Sequence, residues 1–356
     1  RPNSISLGAS HDNAMPVMSE DLPHSSSFST SYTASTTRLS ISHPPYLFNI
    51  KKLPKKSNID ENMSFSALTN IRFLVDGSNS NIFKANIDKS TPVIVKIVMK
   101  DPPNLSVAKK EFALEQRVLA RISHANIVSF YGGGFDVDQR QFLVLERLNG
   151  GSLMAILNNK MSRSPFSFKQ VLQLSQQFAS ALCYLHEEFH QEITIIHRDL
   201  KPDNIGFTDT GILKLMDFGL CTTVKRRTTS SEVYNLTGNT GSLRYMAPEV
   251  IRSCPYNEKV DIYSYGLILW QITTGEAPFQ GLTLRDFYPR VVKDQLRPAL
   301  SEMTGALPSF MDMVHTCWDH NNQERPSASE ILDILRDMNL SVQAMKNNQC
   351  CECVLS

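Results

Sequence analysis

The sequence predicts an α+β protein of two lobes, a small β-rich lobe followed by a larger helical lobe. Three observations indicate this fold class. Short β-branched runs fill residues 71–146, helical spacing of apolar residues dominates beyond residue 168, and the composition is that of a globular chain. Of 356 residues, 41% are hydrophobic and 20% charged, close to the average for soluble domains. This length suits two compact units, or one large domain with tails.

The first lobe is predicted from runs rich in β-branched and aromatic residues. A helix over 108–122 interrupts them, because apolar residues recur there every three or four positions. A hinge is predicted near 147–150. The predicted strands cover residues 71–75, 81–86, 93–99, 127–131 and 141–146.

The second lobe is predicted to be mainly helical. Its apolar residues follow helical periodicity in several long segments. The predicted helices cover residues 168–188, 259–275, 284–293, 308–318 and 327–337.

Both ends of the chain differ in composition from this middle part. Residues 1–42 contain twelve Ser and four Thr, and such a segment cannot bury enough apolar surface to offset its ordering entropy. We therefore expect residues 1–69 to be a disordered Ser/Thr-rich tail and linker. Residues 339–356 form a carboxyl-terminal tail.

Charge and cysteine content exclude some classes of function. Lys+Arg 36 against Asp+Glu 35 gives a net charge of +1, so no overall field favours nucleic acid. No run of about 18 apolar residues predicts a membrane-spanning helix. Seven cysteines without a paired framework indicate reduced thiols and a cytoplasmic protein.

Three motifs in a fixed order carry the chemistry. His197-Arg198-Asp199-Leu200-Lys201-Pro202-Asp203-Asn204 comes first, Asp217-Phe218-Gly219 begins eighteen residues after Asp199, and Ala247-Pro248-Glu249 follows. Asp-Phe-Gly alone is common by chance, whereas the three motifs together are not. In these motifs residues 70–338 resemble the eukaryotic protein kinase family.

The resemblance implies a two-lobe protein kinase fold and a specific reaction. That reaction is transfer of the γ-phosphoryl of Mg-ATP to Ser/Thr hydroxyls of protein substrates, in signal transduction. Because phosphoryl transfer needs positioning and charge neutralisation, the family pattern assigns the catalytic base to Asp199 and the Mg²⁺ ligands to Asn204 and Asp217. Lys201 resembles the phosphate-contacting lysine of serine/threonine kinases, which tyrosine kinases usually lack.

A lysine and a glutamate of the small lobe complete the catalytic set by the same resemblance. Lys96, in Val93-Ile94-Val95-Lys96, matches the strand lysine of the family, and Lys100 is its rival. Glu115 lies nine residues before His124, the family spacing for the carboxylate that holds this lysine. Glu111, one helical turn earlier, is the competing candidate.

The phosphate-binding loop departs from the family pattern. Alignment places Gly77 at the second glycine, with Val75 and Ser80 at the first and third. Glycine is favoured there because its backbone can approach phosphates closely. The loop therefore predicts weaker ATP affinity, and Asp76 adds a negative charge near the phosphates.

The adenine pocket is predicted from apolar residues near the hinge. We expect Ile82, Val95 and the gatekeeper Leu145 to line it, although simple core packing explains each of them as well. Backbone groups from Glu146 to Leu148 would make the hydrogen bonds to the base.

The segment between Asp217 and Glu249 is rich in hydroxyl groups, and no pattern selects one of them as a phosphorylation site. Family members with an arginine at position 198 often use it to bind a phosphorylated loop, so we expect phosphorylation by an upstream kinase or by the chain itself. Ser242 is expected to contact Asp199. The hydroxyl-bearing residues are Thr228, Thr229, Ser230, Ser231, Thr237, Thr240 and Ser242.

Late motifs refine the resemblance. Cys317-Trp318 and Arg325, combined with Lys201, are similar to the tyrosine-kinase-like group with serine/threonine specificity. In that pattern Arg325 pairs with Glu249. The degenerate glycine loop leaves a second reading, an ATP-binding pseudokinase scaffold with little phosphotransfer, although such proteins usually lack the lysine, the base or the metal aspartate.

The last four residues match a lipid-attachment motif. Cys353-Val354-Leu355-Ser356 is a C-a-a-X sequence whose serine favours farnesyl, provided that Ser356 is the true terminus. Cys350 and Cys351 could carry palmitoyl as a second anchor. The motif predicts peripheral membrane association through Cys353.

Overall fold

The computed structural model describes residue 50 and residues 53–56, 59–77, 79–102, 104–159, 166–229 and 231–352, with side chains described up to residue 341. Residues 1–49, which include the Ser/Thr-rich segment, and Cys353 lie outside the described residues. The described part contains a five-stranded sheet with one helix, followed by a mainly helical lobe. The α+β two-lobe prediction is confirmed.

The small lobe is an antiparallel sheet with strand order β1-β2-β3-β5-β4. Helix α1 (Leu105–Leu119) connects β3 to β4 and begins three residues before the predicted start, because the Asn104 side chain accepts a hydrogen bond from the Val107 amide and caps it. The strands are β1 (Leu68–Asp76), β2 (Ser80–Ile87), β3 (Thr91–Val98), β4 (Phe130–Phe135) and β5 (Gln141–Glu146).

The prediction of a strand over 127–131 is wrong, because β4 is Phe130–Phe135. Its centre is Gly132-Gly133-Gly134, which has low intrinsic strand propensity. The apolar pair Ile127 and Val128 instead lies buried against the large lobe, where the Val128 amide donates to the carbonyl of Leu215.

The three glycines have no side chains, so a segment that precedes β1 in the sequence can pack directly against the backbone of β4. The Gly133 amide donates to the Asp60 carbonyl at 2.9 Å, and the Met63 amide donates to the Gly133 carbonyl at 2.9 Å. A Cβ at Gly132 or Gly134 would collide with the carbonyl oxygen of Asp60 or Met63. We call the described residues 53–56 and 59–67, which the sequence placed in a linker, the strap.

The strap also contacts the end of α1. The Lys56 amide donates to the Ala120 carbonyl at 3.2 Å, and Arg121 Nε donates to the Leu53 carbonyl at 3.3 Å. Phe65 packs edge-on against Phe142 with ring centroids 5.3 Å apart. The strap therefore joins the edge of the sheet to the helix.

The large lobe is built around α5, whose residues are all buried. Turns of π type extend α3 by Tyr184–Glu188 and α6 by Tyr288–Lys293. The last helix runs to residue 352, beyond its predicted end at 337. The helices are α2 (Leu153–Leu157), α3 (Phe168–Cys183), α4 (Pro248–Ile251), α5 (Lys259–Thr274), α6 (Leu284–Phe287), α7 (Pro308–Cys317) and α8 (Ala328–Glu352).

Two small antiparallel sheets present the catalytic motifs below the cleft. β6 (Ile193–Ile196) pairs with β9 (Thr222–Lys225), and β7 (Ile205–Phe207) pairs with β8 (Leu213–Leu215). The first motif follows β6 and the second follows β8, so both emerge at the same place. No helix in the described part of the chain is long and apolar enough to cross a membrane.

Candidate active site

A cleft of about 1080 Å³ separates the two lobes. Its upper wall is formed by β1, β2, β3 and α1, and its floor by the loops after β6 and β8. Both walls carry residues of the predicted catalytic set. The cleft is therefore the candidate active site.

Asp199 is surrounded by polar side chains at the floor of the cleft. Its Oδ1 accepts from Ser242 Oγ at 2.9 Å, and its Oδ2 lies 2.9 Å from Lys201 Nζ. Lys201 Nζ also donates to Ser242 Oγ at 3.0 Å. Asn204 Nδ2 donates to the Asp199 carbonyl at 2.8 Å and to Oδ2 at 3.1 Å. One carboxylate is thus oriented by an ammonium, a hydroxyl and an amide.

The backbone of this loop is held from below by Asp261 of α5. Its carboxylate accepts from the amides of His197 at 2.8 Å and Arg198 at 2.9 Å, and from His186 Nε2 at 2.9 Å. Burial alone raises the pKa of Asp261, but these donors outweigh it and the pKa lies below its usual value. Arg198 has a φ of 68°, so these bonds fix an unusual backbone conformation beside Asp199.

Lys96 lies between two carboxylates of different motifs. Its Nζ is 2.7 Å from Glu115 Oε2 and 3.0 Å from Asp217 Oδ1. Burial lowers the pKa of Lys96, but the two carboxylates outweigh it and the pKa is raised. The Lys96 ammonium lowers the pKa of Asp217 to about 2, so Asp217 is ionised at any working pH.

The structure separates the rival candidates. Glu111 accepts a hydrogen bond from Asn79 instead of pairing with Lys96. Lys100 follows the end of β3 and does not line the cleft. The geometry therefore selects Lys96 and Glu115.

Asp217 and Asn204 both line the cleft, with Asp199 close to Asn204. Asn204 uses its amide nitrogen on Asp199, which leaves its side-chain oxygen as an acceptor. A carboxylate and an amide oxygen suit Mg²⁺, which takes one or two protein ligands and completes its shell with phosphate and water. The donor set therefore fits the expected metal.

The residues proposed for adenine are placed differently from one another. Ile82, Leu145, Glu146 and Leu148 line the cleft, whereas Val95 does not. Val95 is fully buried on the opposite face of the sheet with Val93 and Val144.

Ile94 takes the place that was assigned to Val95. Successive side chains of a strand point to opposite faces, so the residue two before Lys96 shares its face. Because side chains alternate along β3, counting back two residues from Lys96 predicts Ile94 on the cleft side. The prediction that Val95 lines the adenine pocket was wrong.

The floor beneath the hinge contains a glycine that the sequence reading missed. A Cβ at Gly206 would lie 2.5 Å from Leu148 Cδ1 and 3.2 Å from Met216 Sδ. Leu148 and Met216 therefore close the space over this glycine, and both side chains line the cleft.

The phosphate-binding loop joins β1 to β2 in a tight turn. The Gly77 amide donates to the Ser80 carbonyl at 2.7 Å, and Asn81 Nδ2 donates to Asp76 Oδ1 at 2.5 Å. Val75, Gly77 and Ser80 all line the cleft. Part of the negative charge of Asp76 is thus engaged by a neighbour within the hairpin.

The segment after Asp217 is tied to the large lobe. Arg227 forms an ion pair with Glu258, and the backbones of Tyr234 and Tyr256 exchange hydrogen bonds of 2.8 and 3.1 Å. Arg198 Nη1 donates to Thr237 Oγ1 at 3.0 Å. Ser230 lies outside the described residues.

Comparison with known proteins agrees with this geometry. A family model described as "Protein kinase domain" matches residues 68–334, and the chain belongs to that family. Several relatives are named serine/threonine-protein kinases, and the predicted tyrosine-kinase-like group is confirmed.

Three relatives illustrate the similarity. The serine/threonine-protein kinase VIK of Arabidopsis thaliana is 34% identical over 284 residues, 79% of this chain and 62% of its own length. The serine/threonine/tyrosine-protein kinase HT1 of the same plant is 33% identical over 264 residues, which are 73% of this chain and 63% of the length of HT1. Mitogen-activated protein kinase kinase kinase 7 of Bos taurus is 33% identical over 232 residues, which are 64% of this chain and 37% of the length of that kinase. The chain thus spans 37–63% of the length of these relatives.

Proposed function

We propose that the chain is a protein serine/threonine kinase that transfers the γ-phosphoryl group of ATP, with Mg²⁺, to hydroxyls of protein substrates. The observation that carries this proposal is the set of contacts around Asp199, whose carboxylate lies within hydrogen-bond distance of Lys201, Ser242 and Asn204. These contacts orient the carboxylate toward the cleft in which Lys96 and Asp217 also lie.

In this mechanism each side chain has a separate task. Asp199 accepts a hydrogen bond from the substrate hydroxyl and takes its proton as the new O–P bond forms and the bond to the β-phosphate oxygen breaks. Lys201 neutralises charge on the transferred group. Lys96, held by Glu115, contacts the phosphates that remain on ADP.

Bound Mg²⁺ would neutralise the phosphate oxygens as a Lewis acid, and Asp217 and Asn204 would hold it. Because its pKa is about 2, Asp217 remains a charged ligand at neutral pH. Ile94, Leu145 and Leu148 would form the apolar walls for the adenine ring, and the hinge backbone would orient it.

The pseudokinase alternative rests on the low glycine content of the phosphate-binding loop, and the complete catalytic set argues against it. A kinase that only binds partners would be expected to lack one of Lys96, Asp199 or Asp217, and all three are present and line the cleft. The phosphate-binding loop has one glycine at its three glycine positions, and Val75, Gly77 and Ser80 still line the cleft.

The experiment that tests this function measures transfer of labelled γ-phosphate to a generic basic protein and to the chain itself. Asp199→Asn is the matched variant, since it preserves shape and removes the base. We expect its rate to fall by about 10²–10⁴-fold while nucleotide binding persists. Equal rates in both proteins would overturn the proposal.

Phosphoamino-acid analysis of the products decides the acceptor hydroxyl. Lys201 beside Asp199 favours Ser and Thr. Because HT1 is named a serine/threonine/tyrosine kinase, labelled phosphotyrosine is the outcome that would widen the specificity.

Two further parts of the proposal concern regulation and location. We expect an upstream kinase, or the chain itself, to phosphorylate the segment after Asp217. We also propose that farnesyl is attached to Cys353 and that it brings an otherwise cytoplasmic protein to membranes. Labelling with a prenyl donor tests this attachment, with Cys353→Ser as the control.

A further inference from the structure

The phosphate-binding loop of this chain is hydrogen-bonded to α1 through a side chain. Asn79, at the tip of the loop, donates from Nδ2 to Glu111 Oε2 at 2.9 Å. Its backbone carbonyl accepts from the Met99 amide at 3.1 Å, just beyond the end of β3. Asn79 is thus held through both its side chain and its backbone.

Glu111 and Glu115 lie one turn apart on α1 and face the same cleft. Glu115 connects the helix to Lys96, and Glu111 connects it to the loop. Through these two glutamates, helix α1 contacts both Lys96 of β3 and the phosphate-binding loop.

We propose that the pair Asn79–Glu111 is a positioning latch that holds the phosphate-binding loop over ATP and couples its closure to the placement of α1. The inference rests on the proposed kinase function. The latch fixes the position of the loop through the side chain of Asn79, in addition to the backbone bond from Met99. Asn79 also engages a carboxylate that would otherwise face the phosphates and repel them.

The latch predicts a change in nucleotide affinity more than in the chemical step. Asn79→Ala frees the loop and leaves Glu111 without this partner, so we expect KM for ATP to rise about fivefold to tenfold, the effect of losing one typical hydrogen bond. The value of kcat should change less than twofold, because Asp199, Lys201 and Lys96 are not touched.

A double-mutant cycle separates the latch from a general loss of structure. Glu111→Gln keeps an amide oxygen for Asn79 and should retain most of the affinity, whereas Glu111→Ala should not. The double variant Asn79→Ala/Glu111→Ala should bind ATP no more weakly than Asn79→Ala alone. Lys110→Ala, an exposed neighbour on the same helix, is the matched control and should behave as wild type.

Affinity is read both by KM and by direct titration with a fluorescent ATP analogue. If the wild-type chain binds the analogue but transfers no phosphate, the kinase proposal fails and the titration still tests the latch. Additive effects of the two alanine variants, or an unchanged affinity in Asn79→Ala, would overturn the latch.

Discussion

Arg198 Nη1 lies 3.0 Å from Thr237 Oγ1, which makes Thr237 the hydroxyl of the segment after Asp217 that contacts this guanidinium in the described part of the chain. The same side chain donates from Nε to the Leu220 carbonyl at 2.7 Å, next to the Asp-Phe-Gly motif. A change at Thr237 can therefore affect the Asp-Phe-Gly motif through Arg198 alone.

We expect a phosphate on Thr237 to raise the transfer rate. The phosphate would add about two negative charges beside Arg198 and replace a neutral hydrogen bond with charge-assisted ones. Thr237→Ala should lower the activated rate by about tenfold, the effect of one such bond. Mass spectrometry of the active protein and rates before and after phosphatase treatment provide the measurement.

The control for this prediction is Thr229→Ala, an exposed hydroxyl of the same segment. It should leave both the rate and the response to phosphatase unchanged. A Thr237→Ala protein that still loses its activity on phosphatase treatment would place the switch at another hydroxyl.

The ion pair of Arg325 with Glu249 is expected to contribute strongly to stability. Both side chains are buried, and the two nitrogens meet the two oxygens at 2.6 and 3.0 Å. Arg325→Ala leaves a buried carboxylate without its partner, so we expect the free energy of unfolding to fall by about 3–5 kcal/mol. Urea denaturation followed by fluorescence measures it.

Arg336→Ala is the comparison for that loss. Arg336 pairs with Asp333 on the surface, where both side chains are about two-thirds exposed, and exposed pairs contribute about 0–1 kcal/mol. Similar losses for the two arginines would contradict the assignment of Arg325 as a buried structural partner.

The strap is expected to depend on the glycines of β4. Gly134→Val would push a side chain into the Met63 carbonyl, and overpacking of this kind costs about 1–3 kcal/mol. We expect faster cleavage by trypsin after Lys55 and Lys56 once the strap detaches. The control is Phe135→Ala on the same strand, where the side chain is 60% exposed, and it should leave the cleavage rate unchanged. If Gly134→Val is cleaved at the wild-type rate, the strap does not need the glycine.

Much of the site could be predicted from the sequence because its chemistry lies in short contiguous motifs. Asp199, Lys201, Asn204 and Asp217 follow from two such motifs, and the structure brings them to one end of the cleft. The choice of Glu115 over Glu111 also follows from spacing along the chain.

The remaining features depend on contacts between distant residues. Asn79 meets Glu111 across 32 positions, and no local pattern in the loop predicts that contact. The strap could not be read either, since its pairing with Gly133 is made by backbone groups and leaves no side-chain signal. Ile94 is a different case, because the alternation of side chains along β3 predicts that Ile94 and Lys96 share one face of the sheet.

The buried cysteines are expected to be unreactive in the folded protein. Burial raises the pKa of Cys183 and of Cys317 to about 12, and it raises the pKa of Cys221 as well. The thiolate is the reactive form, so at pH 8 iodoacetamide should label the partly exposed Cys254 and leave these three thiols unmodified. Peptide mass spectrometry of folded and urea-unfolded samples measures each site, and rapid labelling of Cys221 in the folded protein would contradict its burial beneath the cleft.

The same shifts predict the direction of a pH effect on stability. In the unfolded chain these thiols lose their protons near pH 9, whereas the folded protein holds them up to about pH 12. The folded state binds more protons between these values, so the free energy of unfolding should fall as the pH rises above 9. Urea midpoints at pH 8 and pH 10 test the sign, and Cys317→Ala should reduce the slope between them because one of the shifted thiols is gone.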